Sequence, residues 1–458
     1  MFKIPRAPDA LPRQPSLRKF LYIQKICFAG IGFDPTSVKR TIFSPWLTFI
    51  PLFSILGLLA PMGVYAFKYI KIDLAKTTAA LSPFWQSLLS SVKFFVFMLN
   101  RKKIVESVRK VWLWTLEANE EEVEIIAEEN RYDARISKFY FASVYVTGVL
   151  AVLAPLAIAS VYAWQANEEE VEIIAEENKY DARISKFYFA SVYVTGVLAV
   201  LAPLAIASVY AWQGYGFLES LDAPLKAEYF FNIRGSYQAY IFCYVWNCIG
   251  IYYVLHGALS IDTLYSWFVH NISAQFRILN LRYRQLSERT MMLRAIGEHN
   301  EEKFITAIIE CVKYHRRIIQ MAERFNDVYK GLVFIKFLIS CLQLACLSFQ
   351  IPSGGEIADL LFSLSFLISV TTQLMLYCHG GQKIQDMSTS VSLAIYEHFQ
   401  WHDLSVKSKK LLLLTMLRAQ KPCYVRGIFF TTDLSLFVWV YRTAGSFMTM
   451  LITMDGKK

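Results

Sequence analysis

Apolar positions in this chain fall in long runs, with neither the alternation of strands nor the narrow stripe of soluble amphipathic helices. The runs cover 44–67, 77–99, 139–163, 187–211, 236–259, 329–351, 357–378 and 429–454. Each is long enough to cross the hydrocarbon of a bilayer as a helix, which takes about 20 residues. The pattern predicts an all-α polytopic membrane protein. Pro45, Pro51, Pro61, Pro155 and Pro203 fall inside runs. Membrane helices tolerate such kinks where neighbours satisfy the freed backbone groups.

Two of the runs belong to a tandem duplication. Residues 118–165 recur at 166–213 with a single difference, Arg131 against Lys179. Each copy opens on an acidic amphipathic stretch and closes on an apolar run. Functional membrane repeats are diverged, and solenoids need three or more units. Two near-identical copies fit a recent duplication of one coding segment, or an assembly error, better than either.

Basic residues decide the orientation. The leader carries Lys3, Arg6, Arg13, Arg18, Lys19 and Lys25, and Arg101, Lys102 and Lys103 follow the second run. The stretches 266–326 and 383–426 are also basic. All four belong in the cytoplasm. Passing from Lys110 to Ser266 on the same side requires an even number of crossings, yet three runs lie between them. One copy of the repeat therefore spans and the other is supernumerary. The expectation is a seven-transmembrane helix bundle with a cytoplasmic N-terminus and an outward C-terminus. The second copy is expected to fill the third-helix place, because it leads directly into the outer loop at 214–231.

Composition agrees with this reading. Apolar residues make up 55% and charged residues 18%, against about a quarter charged in soluble domains. The net charge of +10 sits in loops beside the membrane, so it points to the lipid bilayer and not to nucleic acid. Eight scattered cysteines make no metal-ligand spacing, and neither metal nor other cofactor is expected. His270, His299, His315, His379, His398 and His402 read as loop residues lying apart, with no catalytic constellation, so no enzyme is expected. Gly354-Gly355 and Gly380-Gly381 read as turns. Asn271-Ile272-Ser273 matches a glycosylation acceptor, but on the cytoplasmic side, where it stays unmodified.

The end of the chain carries more specific marks. Ala394, Tyr396 and Trp401 are followed by the leucine run 411–414, by Arg418-Ala419-Gln420-Lys421-Pro422, and by Tyr441-Arg442-Thr443-Ala444-Gly445-Ser446-Phe447. This pattern resembles the C-terminal region of insect odorant receptors, specifically over the last eighty or so residues. Gly445 stands where an aromatic is usual, and the duplication departs from the family. The resemblance implies an odorant-tuned subunit of a ligand-gated, non-selective cation channel in the plasma membrane of a sensory neuron. It implies a heterotetramer with a shared odorant receptor co-receptor and a small volatile odorant as ligand. It divides the chain into a cytoplasmic leader (1–43), helices one to six (44–378), a cytoplasmic anchor segment (379–428) and a pore-lining last helix (429–458).

Candidate residues follow. For ligand contact in the outer halves of the spans they are Phe84, Trp85, Tyr145, Thr147, Gly148, the repeat copies Tyr193, Thr195 and Gly196, then Tyr237, Tyr240, Phe362 and Phe366. An aromatic-lined apolar cavity suits weakly polar molecules, while ordinary core packing is the competing reading for each. For pore and gate the candidates are Arg442, Thr443, Ser446, Thr449, Met450 and Met454. A neutral polar face ending in a hydrophobic ring gates by dewetting, and gap-filling by methionine is the alternative. Tyr396, Trp401, Leu411, Leu414 and Arg418 are expected at the subunit interface. A helical stripe of Val391, Ile395, Phe399, Leu411, Leu414 and Leu417 lies beneath the membrane, facing either a second subunit or its own. Competing functions are a gustatory-type channel acting without a co-receptor and a G-protein-coupled chemoreceptor. The basic leader argues against the latter.

Overall fold

The computed structural model describes residues 21–35, 49–163, 225–229, 237–351 and 357–455. These form nine α-helices: α1 (Tyr22–Gly30), α2 (Phe49–Tyr69), α3 (Leu74–Glu117), α4 (Glu120–Ala163), α5 (Tyr237–Ala295), α6 (Glu301–Gln350), α7 (Ile357–His398), α8 (Val406–Ala419) and α9 (Leu434–Asp455). Among the described residues there is no strand beyond an isolated bridge between Arg426 and Thr431. Five helices, α2, α5, α6, α7 and α9, are long and apolar enough to cross a membrane by length and composition. With α3 and α4 packed among them, they make an all-α, seven-helix membrane bundle.

Local sequence sets the helix starts. Asp73 precedes α3 and its carboxylate accepts from the Lys76 amide at 3.0 Å. Asn119 and Glu122 form a reciprocal cap at the head of α4, each side chain accepting from the other's backbone N–H at 2.9 and 3.2 Å. The Asn300, Ser405 and Asp433 side chains each accept from the backbone N–H three residues on, at the starts of α6, α8 and α9. Each satisfies an N–H that a helix start leaves open.

Helix α5 has 59 residues, about 90 Å at the α-helical rise, three times the hydrocarbon thickness. Helices α3, α4, α6 and α7 also run far past their apolar halves. The basic segments 266–326 and 383–426 therefore begin as continuations of the helices. His270, His315 and His379, expected in loops, lie inside α5, α6 and α7, and His270 and His315 are buried. Gly380-Gly381 is not a turn either: α7 passes through it. A Cβ on Gly381 would stand 2.0 Å from the Thr432 carbonyl oxygen, so this glycine admits the segment leading into α9. Gly354-Gly355 lies outside the described residues.

The first copy of the repeat forms α4 and packs against α5 and α7, in the place expected for the second. Only Ala118 and Asn119 separate α3 from α4, so the copy that follows α3 directly seats with almost no loop to close. Helix α4 runs antiparallel to α5: Glu122 pairs with Arg282, Glu129 with Arg277, Tyr140 with Asp262 and Tyr145 with His256. Ala163 and Tyr237 thus stand at the same end of the bundle. The second copy lies outside the described residues.

Candidate functional site

Three groups of residues meet in the half of the bundle that holds the start of α5 and the end of α4. The first is an aliphatic and aromatic cluster. Ile55, Leu58 and Met62 of α2 pack with Ile251 and Val254 of α5 and with Leu225, and Phe84, Trp246 and Phe362 close around them. Two sequence candidates, Phe84 and Phe362, meet here. Phe366 is buried one turn along α7, 5.7 Å from the Phe362 ring. Trp85 is half-buried beside Phe84, their rings 5.3 Å apart. The loop piece 225–229 is tied down by Lys68, which pairs with Glu228 at 2.7 Å.

The second group joins α4 to α5. The Tyr145 hydroxyl lies 2.7 Å from His256 Nε2, and the other ring nitrogen of His256 is 3.3 Å from the Cys27 carbonyl of α1. Two neighbouring candidates serve packing. Thr147 donates to the Ser143 carbonyl of its own helix at 2.9 Å. A Cβ on Gly148 would meet Leu255 at 2.3 Å, so this glycine lets α4 and α5 approach. Tyr240 is buried on α5, and Tyr237 opens that helix. Tyr193, Thr195 and Gly196 lie outside the described residues.

The third group is a polar seam between α3, α6 and α7 that contains no sequence candidate. Gln343 donates to Gln86 at 3.1 Å, Gln350 to Ser82 at 3.0 Å, and Ser363 to Gln350 at 2.8 Å.

Deeper in the bundle lies a buried charged hub, also unforeseen. Lys93 of α3 and Asp262 of α5 are 2.7 Å apart, both fully buried. Tyr140 and Tyr377 donate to the same carboxylate at 2.6 and 2.7 Å. Gln373 of α7 donates to Asp262 and accepts from Lys336 of α6. Four helices thus meet on one carboxylate, and α6 joins them through Gln373. A charge in such surroundings is costly unless it is paired and hydrogen-bonded. The lysines carried a signal in the sequence, since each lies inside an apolar run where a charge calls for an explanation.

At the opposite end of the bundle the acidic half of α4 grips α5 and α7. Arg277 reaches Glu128 at 2.7 Å and Glu129 at 2.9 Å, and Lys383 also pairs with Glu129. Arg282 holds Glu122 at 2.6 Å. Deeper in, burial pushes the Asp133 carboxyl up to about 7, against hydrogen bonds from Ser266, Ser137 and Gln24. His270 stands 3.7 Å away, and burial pushes its ring down to about 3. Asn271 is buried and exchanges hydrogen bonds with Asn130.

The proposed interface residues divide. Val391, Ile395 and Phe399 are buried within the chain's own core. Leu411 and Trp401 are half-buried against it, and the Trp401 indole donates to the Tyr396 carbonyl at 3.1 Å. Leu413, Leu414 and Leu417 are exposed, as is the Tyr396 ring. Arg418 reaches the Lys421 carbonyl at 3.0 Å, closing the turn after α8.

Helix α9 packs mainly on α6 and α7, and only 17% of its apolar window is buried. Met450 and Met454 are exposed, and so is Arg442, with no carboxylate partner among the described residues. The hydroxyls of Thr443, Ser446, Thr449 and Thr453 each bond to a carbonyl of the same helix. They present a polar face without competing for partners. The Tyr441 hydroxyl bonds to Thr371 of α7.

Comparison with known proteins places this architecture. Odorant receptor 45a of Drosophila melanogaster is 26% identical over 95% of this chain and 99% of its own length. Odorant receptor 9a of the same fly is 24% identical over 96% and 97%. The fold matches the insect olfactory receptor OR5 from Machilis hrabei, solved in complex with eugenol, with a TM-score of 0.70 at 13% identity over 96% of this chain and 98% of that one. These relatives are receptors, not enzymes. The family model described as 7tm Odorant receptor matches residues 156–445, more than half of the sequence, and the chain belongs to that odorant receptor family.

Proposed function

We propose that this chain is the odorant-tuned subunit of a ligand-gated, non-selective cation channel that assembles with a co-receptor in the plasma membrane of sensory neurons. The observation that carries the proposal is the bareness of α9. An apolar spanning helix with only 17% of its window buried leaves most of its surface to partners of the same kind. Several such helices around an axis form a pore lined by Ser446, Thr449 and Thr453, with Met450 and Met454 as the hydrophobic constriction. The exposed leucines of α8 and the Tyr396 ring are the cytoplasmic contact between subunits. The ligand is a small, weakly polar volatile received in the outer cluster around Phe84 and Phe362. In its favour, the structurally similar Machilis hrabei receptor was solved with eugenol.

The deciding experiment is expression with and without the co-receptor, reading volatile-evoked current. Current only in the paired cells is expected. Equal current without the co-receptor would assign the chain to a channel that works alone.

A further inference from the structure

Asn247 sits ten residues into α5, about 15 Å along its axis, and is fully buried. Both of its amide hydrogens are spoken for. One goes to the Cys243 carbonyl of the preceding turn at 2.8 Å, the other to the Tyr229 hydroxyl at 2.8 Å. The carbonyl facing the amide nitrogen fixes which way the amide points, since the reverse orientation would set two oxygens together. Among the described residues its own oxygen, Oδ1, is buried without a donor, and the buried Tyr244 hydroxyl one turn toward the start of α5 is without a partner. Tyr244, Asn247, Ile251 and Val254 recur at three- and four-residue spacing, so they share one helix face. Its deeper members, Ile251 and Val254, belong to the apolar cluster with Leu58 and Met62.

We infer that Asn247 Oδ1 and the Tyr244 hydroxyl form a hydroxyl-recognising end of the odorant site, selecting volatile alcohols or phenols whose apolar body lies in the Leu58–Met62–Ile251 cluster. The inference rests on the odorant-receptor function proposed above. An alcohol O–H donates to Oδ1 and its oxygen accepts from Tyr244. An ether or ester of the same shape has no proton to give, and it leaves Oδ1 bare in an apolar setting.

The test uses the full chain with its co-receptor and matched pairs: 1-hexanol with 1-methoxyhexane, and eugenol with its methyl ether. The hydroxyl member is expected to act at a concentration about tenfold lower, the discrimination that one unsatisfied buried acceptor gives. Asn247→Leu is expected to bring each pair within about twofold and to leave the ether responses in place, which shows that the variant folds. If Asn247→Leu is silent to everything, Tyr244→Phe, which keeps the ring, must cut the ratio instead. Equal sensitivity of the wild type to both members overturns the inference. So does an unchanged ratio in the variants, or a response confined to volatiles without a hydroxyl. Silence of the surface-expressed wild type to every volatile removes the proposed function, and this inference with it.

Discussion

Lys93 Nζ and the Asp262 carboxylate stand 2.7 Å apart with neither exposed to solvent, and 169 residues separate them in sequence. This contact joins α3 to α5 at the depth where Tyr140, Gln373 and Tyr377 converge. Removing one member of such a pair leaves a bare charge in a dry site, a loss of about 3–5 kcal/mol. Asp262→Asn keeps the shape and removes the charge facing both Lys93 and Lys336. We expect it to lower the melting temperature of the detergent-solubilised protein sharply. Lys93→Met added to it should restore part of the loss. A double variant that melts no higher than Asp262→Asn alone would show that the pair is not what holds the hub.

The pH dependence at the junction of α6 and α8 follows from Glu301. Burial raises its carboxyl, but hydrogen bonds from Ser405 and Ser408, with His299 beside it, overcome that and hold it at about 2, below the ordinary 4.5. A carboxyl depressed on folding contributes stability that is complete above about pH 4.5 and lost as pH falls toward 2. The attachment of α8 to the start of α6 should therefore stay closed at neutral pH and loosen in acid. Limited proteolysis of the solubilised protein between pH 6 and pH 3 reads this, with cleavage near Ser405 rising below about 4.5. Glu301→Gln should be loose at every pH. A profile matching the wild type would remove Glu301 from this role.

Leu414 and Leu417 are exposed on α8, while Leu411 on the same helix is half-buried against the chain's own core. Leu414→Asp combined with Leu417→Asp is expected to abolish capture of the co-receptor in a pull-down and to leave the monomer's melting temperature within about 2 °C. Leu411→Asp should instead depress melting, because it places a charge at the edge of the core. Undiminished capture by the Leu414/Leu417 variant would move the subunit contact elsewhere.

In the proposed pore, Met450 and Met454 form the dewetting constriction. Met450→Ser or Met454→Ser hydrates it, so basal current without ligand should rise several-fold while surface expression holds. Patch-clamp recording of the co-expressed channel decides the point. Unaltered basal current in both variants would return these methionines to packing.

The spans were legible because long apolar runs have one physical use. The continuations of the helices beyond those runs were not. Once a helix leaves lipid its apolar run stops, so His270 and His315 looked like loop residues although both are buried in helices. Gly381 looked like a turn because its reason, the Thr432 carbonyl pressed against its Cα, comes from a segment fifty residues on. Lys93 and Lys336 were visible as charges inside runs, whereas Asp262, just past the end of its own run, gave no sign of being their partner. Phe84 and Phe362, two aromatic candidates, pack on one apolar cluster. The unpartnered oxygen of Asn247 was invisible, since only the contacts of its amide with Tyr229 and Cys243 expose it.

Which copy of the repeat seats was beyond the sequence for a simpler reason: the copies differ only at Arg131 and Lys179, and Arg131 is exposed. Every α4 side chain that grips α5 or α7, including Glu122, Glu129, Asp133 and Tyr140, has an identical counterpart in the second copy. Chain order therefore decides, and the copy joined to α3 by two residues takes the place. A chain lacking 118–165 and a chain lacking 166–213 differ at one exposed position, so both should fold to the same seven-helix bundle. Because Ala163 and Tyr237 stand at the same end of it, either deletion preserves the direction of every later helix. We expect both to match or exceed the full chain in surface biotinylation and in evoked current with the co-receptor, since an apolar run of some 25 residues no longer has to find lipid. A tag after Lys458 should be accessible from outside in all three chains. An intracellular tag in the full chain alone would mean that both copies cross. Loss of current in both deletions while the full chain conducts would make the second copy part of the working channel.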